Sequence, residues 1–195
     1  MKKIYCKICF LIFVILYINS CYNSRIYYSE LNGRLWRNNT VKWYYNPSNQ
    51  IFNTEKTVAA VKAAAAAWEK VCGIKFVYMG TTDQKLTHTS DDKFVIGWLD
   101  DNRYKSRFGK SSSAHTHIWW TRYIDDGEMS LNADAWKNKN FNNFQGIMTH
   151  ELGHSLGLSH SDNPDSIMYF PYHSAQYQMT PTKYDIDAVM KLYPK

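Results

Sequence analysis

Apolar residues recur along this chain with two periods. Between residues 54 and 72, Val58, Val61, Ala65, Trp68 and Cys72 fall on one face of a helix. Asn53 or Thr54 can cap its start and Gly73 can end it. The alanine run at 63–67 favours the helix and lets a neighbour approach closely. Residues 41–45 read as a strand stopped by Asn46 and Pro47, and residues 74–78 and 94–99 read as two more. Residues 113–120 alternate less cleanly but are β-rich, and 129–131 read as a short edge strand. A second helix covers 143–156 and stops at Gly157. A long loop over 161–179, holding Pro164 and Pro171, leads to a last helix that Thr180 caps, Pro181 opens and Leu192 ends. This order, with no internal repeat or long linker, describes one α+β domain.

The N-terminus follows another pattern. Ile8 to Ile18 is an unbroken apolar run of 11 residues behind Lys2, Lys3 and Lys7. It is too short for a bilayer span, which needs about 20 residues, and fits an export signal over residues 1–20. A buried core helix is the alternative. The run ends in Ile18-Asn19-Ser20-Cys21, which resembles a bacterial lipobox, where the cysteine becomes an acylated first residue. Asn19 departs from that pattern, so plain cleavage stands beside lipidation. An exported protein is expected, either secreted or held at a bacterial cell surface through Cys21. Residues 21–32 form a short polar and aromatic lead before a domain spanning 33–195. Cys6 and Cys9 leave with the signal, so only Cys21 could pair with Cys72. Cys72 reads better as a small buried apolar side chain.

Composition narrows the function classes. The 195 residues, 45% apolar with 15 Tyr, 9 Phe and 7 Trp, exclude a disordered or low-complexity chain. The formal charge is +6, but beyond residue 20 there are 20 basic and 17 acidic side chains. That surplus of +3 is too small and scattered to argue for nucleic acid.

The strongest chemical signal is His150-Glu151-Leu152-Gly153-His154-Ser155-Leu156-Gly157-Leu158-Ser159-His160. His150 and His154, four apart on a helix, project from one face. That suits two ligands of a tetrahedral zinc ion. Glu151 sits beside a ligand without being one, within reach of a water on the ion. Gly157 lets the chain turn back and bring His160 in as third ligand. Three neutral nitrogens leave one position open, the pattern of a catalytic rather than a structural site.

This eleven-residue motif is the extended metzincin form, and the chain resembles a matrixin-type metzincin, similar to the matrix metalloproteinase catalytic domain. His160-Ser161 is the matrixin-like continuation, and Ser166-Ile167-Met168-Tyr169 resembles the Met-turn, with Met168 under the zinc. Tyr172-His173-Ser174 resembles a wall of the pocket for the side chain after the cut. Asp185-Ile186 and Leu192-Tyr193 resemble the closing helix, and Trp68-Glu69-Lys70-Val71 followed by Phe76 the end of the first helix and the next strand. The resemblance implies a twisted five-stranded sheet, three helices, and an active-site cleft between an upper and a lower subdomain. It places Gly146, four residues before the first ligand, at the floor of the specificity pocket. It also puts the backbone of Ser113 and Ala114 on the upper rim, where an extended peptide would pair with it.

The departures are specific. The family's switch cysteine in its Pro-Arg-Cys-Gly setting is missing, and only residues 22–32 separate the candidate signal from the domain, so no pro-domain is expected. Its structural zinc needs a His and an Asp in a long loop and two later His. Residues 100–110 contain no His, and Ser130 stands where the last ligand belongs. His115 and His117 are therefore expected as ordinary strand residues near the cleft rim, without a second zinc. Asp125, Asp126 and Glu128 could hold calcium, with a solvated acidic turn as the favoured alternative. Of the two adjacent Asp that open the family's last helix, the first is Tyr184 here and the second is Asp185. The partner of the Met-turn is kept; the partner of an activated amino terminus is not.

The resulting expectation is a monomeric zinc endopeptidase acting on protein or peptide substrates, with Glu151 as general base. A non-catalytic binding module on the same scaffold, or a membrane-tethered structural protein, are the rivals. The presence of Glu151 weighs against the first, and the motif against the second.

Overall fold

A computed structural model describes residues 26–28, 34–109, 112–139, 141–170 and 178–195. The signal, lipobox, Cys21 and Tyr172 readings lie outside them. No helix among the described residues is long and apolar enough to cross a membrane.

Five strands form one sheet in the order β3-β2-β4-β6-β5. They are β2 (Thr40–Asn46), β3 (Lys75–Thr81), β4 (Phe94–Leu99), β5 (Ala114–Trp120) and β6 (Ile124–Asn132). β5 is antiparallel to β6 and lies at the edge; the other pairings are parallel. In β2, Val41, Trp43 and Tyr45 are buried on one face while Lys42 points out. All six residues of β4 are buried, because both faces of this inner strand are covered. Phe94, Ile96 and Trp98 join the main core, whereas Val95 and Leu99 join a smaller one with Leu86 and Tyr104.

The main core lies between the sheet and two helices, α1 (Thr54–Glu69) and α4 (Phe144–Ser155). The Asn53 side chain accepts from Lys56 N and caps α1. Ala64 and Ala65 are buried, which lets α1 pack closely on α4. α1 ends at Glu69, three residues before the expected last residue, Cys72; Val71 N and Cys72 N turn back to Trp68 O. Cys72 is a buried thiol, and its Sγ also donates to Trp68 O. The last helix, α5 (Lys183–Leu192), is capped by Thr182 rather than Thr180, and Asp185 Oδ2 accepts from Thr182 N.

Among the described residues, two α-helical segments come in addition to the three expected. α2 (Asp101–Phe108) carries Asp100 as its cap and Gly109, at φ 68°, as its stop, but buries only Tyr104. α3 (Ala133–Trp136) is a single turn. The short edge strand expected at 129–131 is instead a nine-residue inner strand, β6, between β4 and β5. Asp126 and Glu128 are not in a solvated turn: they are buried in β6. Asp126 Oδ2 accepts from Asp91 N and Asp92 N, and Glu128 from Thr87 N, His88 N and Arg107. The chain's own donors thus use Asp126 Oδ2 and both Glu128 oxygens, Asp126 Oδ1 is buried with no hydrogen-bond partner among the described residues, and Asp125 pairs with Arg37.

Two short strands, β1 (Ile26–Tyr28) and β7 (Leu158–Ser161), pair antiparallel beside α4, so the lead contributes one of them. β7 is continuous with the turn after α4 and carries His160.

Candidate active site

Helix α4 is held from both sides before any ligand is considered. Trp68 on α1 donates its indole N–H to Thr149 O, and Trp36 donates its own to Ser155 O. Thr149 Oγ1 donates to Met179 O in the segment before α5. These bonds bracket His150, Glu151 and His154, which the helical spacing turns to one side.

Gly157 follows at φ 94°, a conformation that side chains disfavour, and β7 then returns along the helix. The turn brings His160 Nε2 to 3.2 Å from His154 Nε2, which lies 3.1 Å from His150 Nε2. His150 Nδ1 meets Ile167 O at 2.7 Å and His154 Nδ1 meets Leu158 O at 2.7 Å. A carbonyl can only accept, so both Nδ1 atoms carry the hydrogen and both Nε2 atoms present lone pairs. Burial pushes the pKa of both imidazoles down, that of His150 well below its ordinary value. Lone pairs so close repel one another unless a cation lies between them, and protonation is disfavoured. Nitrogen ligands at 2.0–2.1 Å from a tetrahedral zinc stand about 3.3 Å apart, close to the spacing here. The three histidines are the one group of three or more ligating side chains found together among the described residues. They fit zinc.

Glu151 is buried beside them, and its Oε2 accepts from Thr116 Oγ1 on β5 at 2.7 Å. Burial raises its pKa to about 7, against the lowering effect of the Thr116 hydroxyl. A cleft of about 600 Å³ opens between β5 and α4, lined by Ser113, Ala114, Thr116, Ile147, Glu151 and the three histidines. Ser113 O already accepts from Asn132 N and Trp136 Nε1, and Ala114 O from Ser112 Oγ. Gly146 is buried one residue before Ile147.

Met168 is buried against α4. A Cβ on Gly153 would lie 2.4 Å from Met168 Sδ and 3.0 Å from Trp68, so a side chain there would require Met168 to shift. Asp185 holds the turn that carries Met168: it accepts from Ser166 Oγ, Ile167 N, Thr182 N and Thr182 Oγ1. Ser161 N donates to Met168 O, tying β7 to the same turn.

His115 and His117 on β5 are among the residues lining the cleft, as strand residues near its rim, but their rings pack outside the triad. His115 is paired in register with Ser130 and packs on Phe108 at 4.2 Å, and His117 packs on His88 and Trp119, both at 4.5 Å. Sequence reasoning missed Thr116 and also Phe170, an exposed ring stacked on His160 at 4.7 Å. Neither carries a local signal, since each acquires its partner only through the fold.

Comparison with known proteins agrees with the geometry. A family model described as Matrixin matches residues 35–194. Stromelysin-2 of Rattus norvegicus is 26% identical over 162 residues, covering 81% of this chain and 33% of the relative. Interstitial collagenase of Oryctolagus cuniculus is 30% identical over 139 residues, 69% of this chain and 27% of the relative. Matrilysin of Rattus norvegicus reaches 52% over 56 residues, 27% of this chain and 20% of the relative. The chain thus spans between a fifth and a third of the length of these curated relatives.

Proposed function

The chain belongs to the matrixin family, and from that premise we propose that it is a zinc-dependent endopeptidase. The observation that carries the reading is the convergence of three imidazole Nε2 atoms beside a buried glutamate in an open cleft. Zinc bound there supplies a Lewis acid that acidifies water and polarises a peptide carbonyl.

The chain's own residues do the rest. Edge strand β5 offers its backbone to an extended peptide, as strand addition requires. Glu151 accepts a proton from the water that adds to the scissile carbonyl. The same carboxyl returns that proton to the amine nitrogen as the C–N bond breaks. Met168 and Asp185 fix the floor under His150, because the Ile167 carbonyl that orients His150 belongs to the turn they hold.

The chain is exported as a monomer, through the signal at 1–20 and with Cys21 as a lipid anchor or as a residue near a free terminus. Gly146 leaves room under the cleft for a long apolar or aromatic side chain after the cut, with Tyr172 as a wall.

A protein digest with and without a chelator tests the core of this. Chelator-sensitive cleavage that disappears in Glu151→Ala, with zinc still bound, is expected; full turnover by that zinc-loaded variant would refute the mechanism. Gly146→Tyr should shift a peptide library from large to small aliphatic residues after the cut. Mass spectrometry of the exported protein's N-terminus separates an acylated Cys21 from a free one.

A further inference from the structure

The Thr116 hydroxyl sits where the edge strand crosses the active-site helix. Along β5, Ala114 and Ile118 enter the main core and the Thr116 hydroxyl reaches Glu151, whereas the rings of His115 and His117 pack on Phe108 and on His88 and Trp119. Ala114 and Ile118 are buried apolar contacts with the main core. Thr116, between them, brings a hydroxyl to the side that the pattern otherwise keeps apolar, and donates it to Glu151 Oε2 at 2.7 Å. No other hydrogen bond to this carboxylate is present among the described residues.

We propose that Thr116 is a positioning residue for Glu151: its hydroxyl fixes one carboxylate oxygen and so aims the other at the water and the amine. The inference rests on Glu151 being the general base. A free carboxylate turns about its last side-chain bond, and its two oxygens are equivalent. A buried hydroxyl donating to Oε2 removes that equivalence. Oε1 is then the atom left to accept the proton and to hand it on, without a search among rotamers. The same hydroxyl can keep its bond to Oε2 when Glu151 carries the proton on Oε1. One contact therefore serves both halves of the proton's path. β-strand geometry supplies the rigidity, since Thr116 is paired in register with Met129 of the inner strand β6.

The test compares Thr116→Val, which keeps the β-branched shape and loses the hydroxyl, with Thr116→Ser, which keeps the hydroxyl. A hydrogen bond to a charged group is worth enough to predict a kcat about ten-fold lower for Thr116→Val, with KM and zinc content unchanged. Thr116→Ser should restore kcat to within about three-fold of the parent. Crystals of the metal-free proteins give a second readout. Glu151 should keep one rotamer in the parent and in Thr116→Ser, and spread over several in Thr116→Val.

A kcat for Thr116→Val equal to the parent's, or a Glu151 rotamer that does not move, would overturn the proposal. Equal loss in the Ser and Val variants, or a rise in KM alone, would instead assign Thr116 a packing role and also overturn it. Parent protein without chelator-sensitive peptidase activity would overturn the functional reading, which the same plate measures separately.

Discussion

Replacing Asp185 by Asn removes one oxygen from the side chain and leaves the backbone alone. Asp185 is 1% exposed and receives four donors, Ser166 Oγ on Oδ1 and Ile167 N, Thr182 N and Thr182 Oγ1 on Oδ2. Asn can keep its carbonyl oxygen at the Oδ2 position and hold three of them. Those bonds then lose their charge assistance, worth about 1 kcal/mol each. The new amide N–H₂ faces Ser166, whose hydroxyl must rotate to accept it while still accepting from Met168 N. The sum is a loss of about 2–4 kcal/mol. The next link is to the metal. Ile167 N is held by Asp185 and Ile167 O orients His150, so loosening one end of this residue loosens the other. Outer partners of metal ligands typically cost about 10–100-fold in affinity when removed. Denaturant unfolding of the metal-free protein reads the first quantity, and titration against a competing chelator reads the second. Stability within about 0.5 kcal/mol of the parent would refute the reasoning, because a buried four-donor carboxylate cannot be exchanged that cheaply. So would an unchanged zinc affinity, since it would sever the Met-turn from the ligand set.

Gly153→Ala should destabilise by about 1–3 kcal/mol despite the better helix former, because its Cβ meets buried Met168 and Trp68; Gly153→Ala together with Met168→Ala should recover part of the loss in a thermal melt. Metal removal should lower the melting temperature, and restoring free zinc to about 100 times its Kd should return about 2.7 kcal/mol; a Tm indifferent to chelator would contradict the triad. Glu151 has a folded pKa raised from 4.5 to about 7. Its contribution to metal-free stability is therefore fully present below pH 4.5 and lost as pH rises through 7, about 3 kcal/mol in all. The difference in stability between the parent and Glu151→Gln, followed from pH 4 to 8, should show that slope; a pH-independent difference would contradict the burial effect.

The metal-ligating core of the site was readable because it is local. His150, Glu151, His154 and His160 lie within one helix, one glycine turn and one short strand, so spacing alone brings them together. β4 and α1 were readable for the same reason, since each carries its full apolar period. α2 was not, because a helix that buries a single tyrosine has no apolar stripe; its Asp100 cap and Gly109 stop were the only signs. β6 was cut short by its acidic run. Asp126 and Glu128 look solvated in sequence and are buried in the fold, because backbone N–H groups of residues 87–92 and the Arg107 guanidinium come to meet them. Thr116 and Glu151 are 35 residues apart, and nothing in either neighbourhood announces the contact.

Burial acts on the two kinds of group in this site in one direction and with opposite consequences. It favours the neutral form of each. For His150 and His154 that is the form a metal needs, and burial pushes the pKa of both down, that of His150 well down. For Glu151 the neutral form is the one that cannot act as a base, and burial alone would leave much of it protonated near neutrality. Two influences oppose this. A cation among the imidazoles favours the neighbouring carboxylate form through the charge it brings. The Thr116 hydroxyl does the same through its hydrogen bond to Oε2. On the proposed reading, a metal held by His150, His154 and His160 would therefore also favour the charged form of Glu151. On the same reading, the strand that delivers Thr116 to Glu151 is also the edge strand whose backbone would pair with an extended peptide.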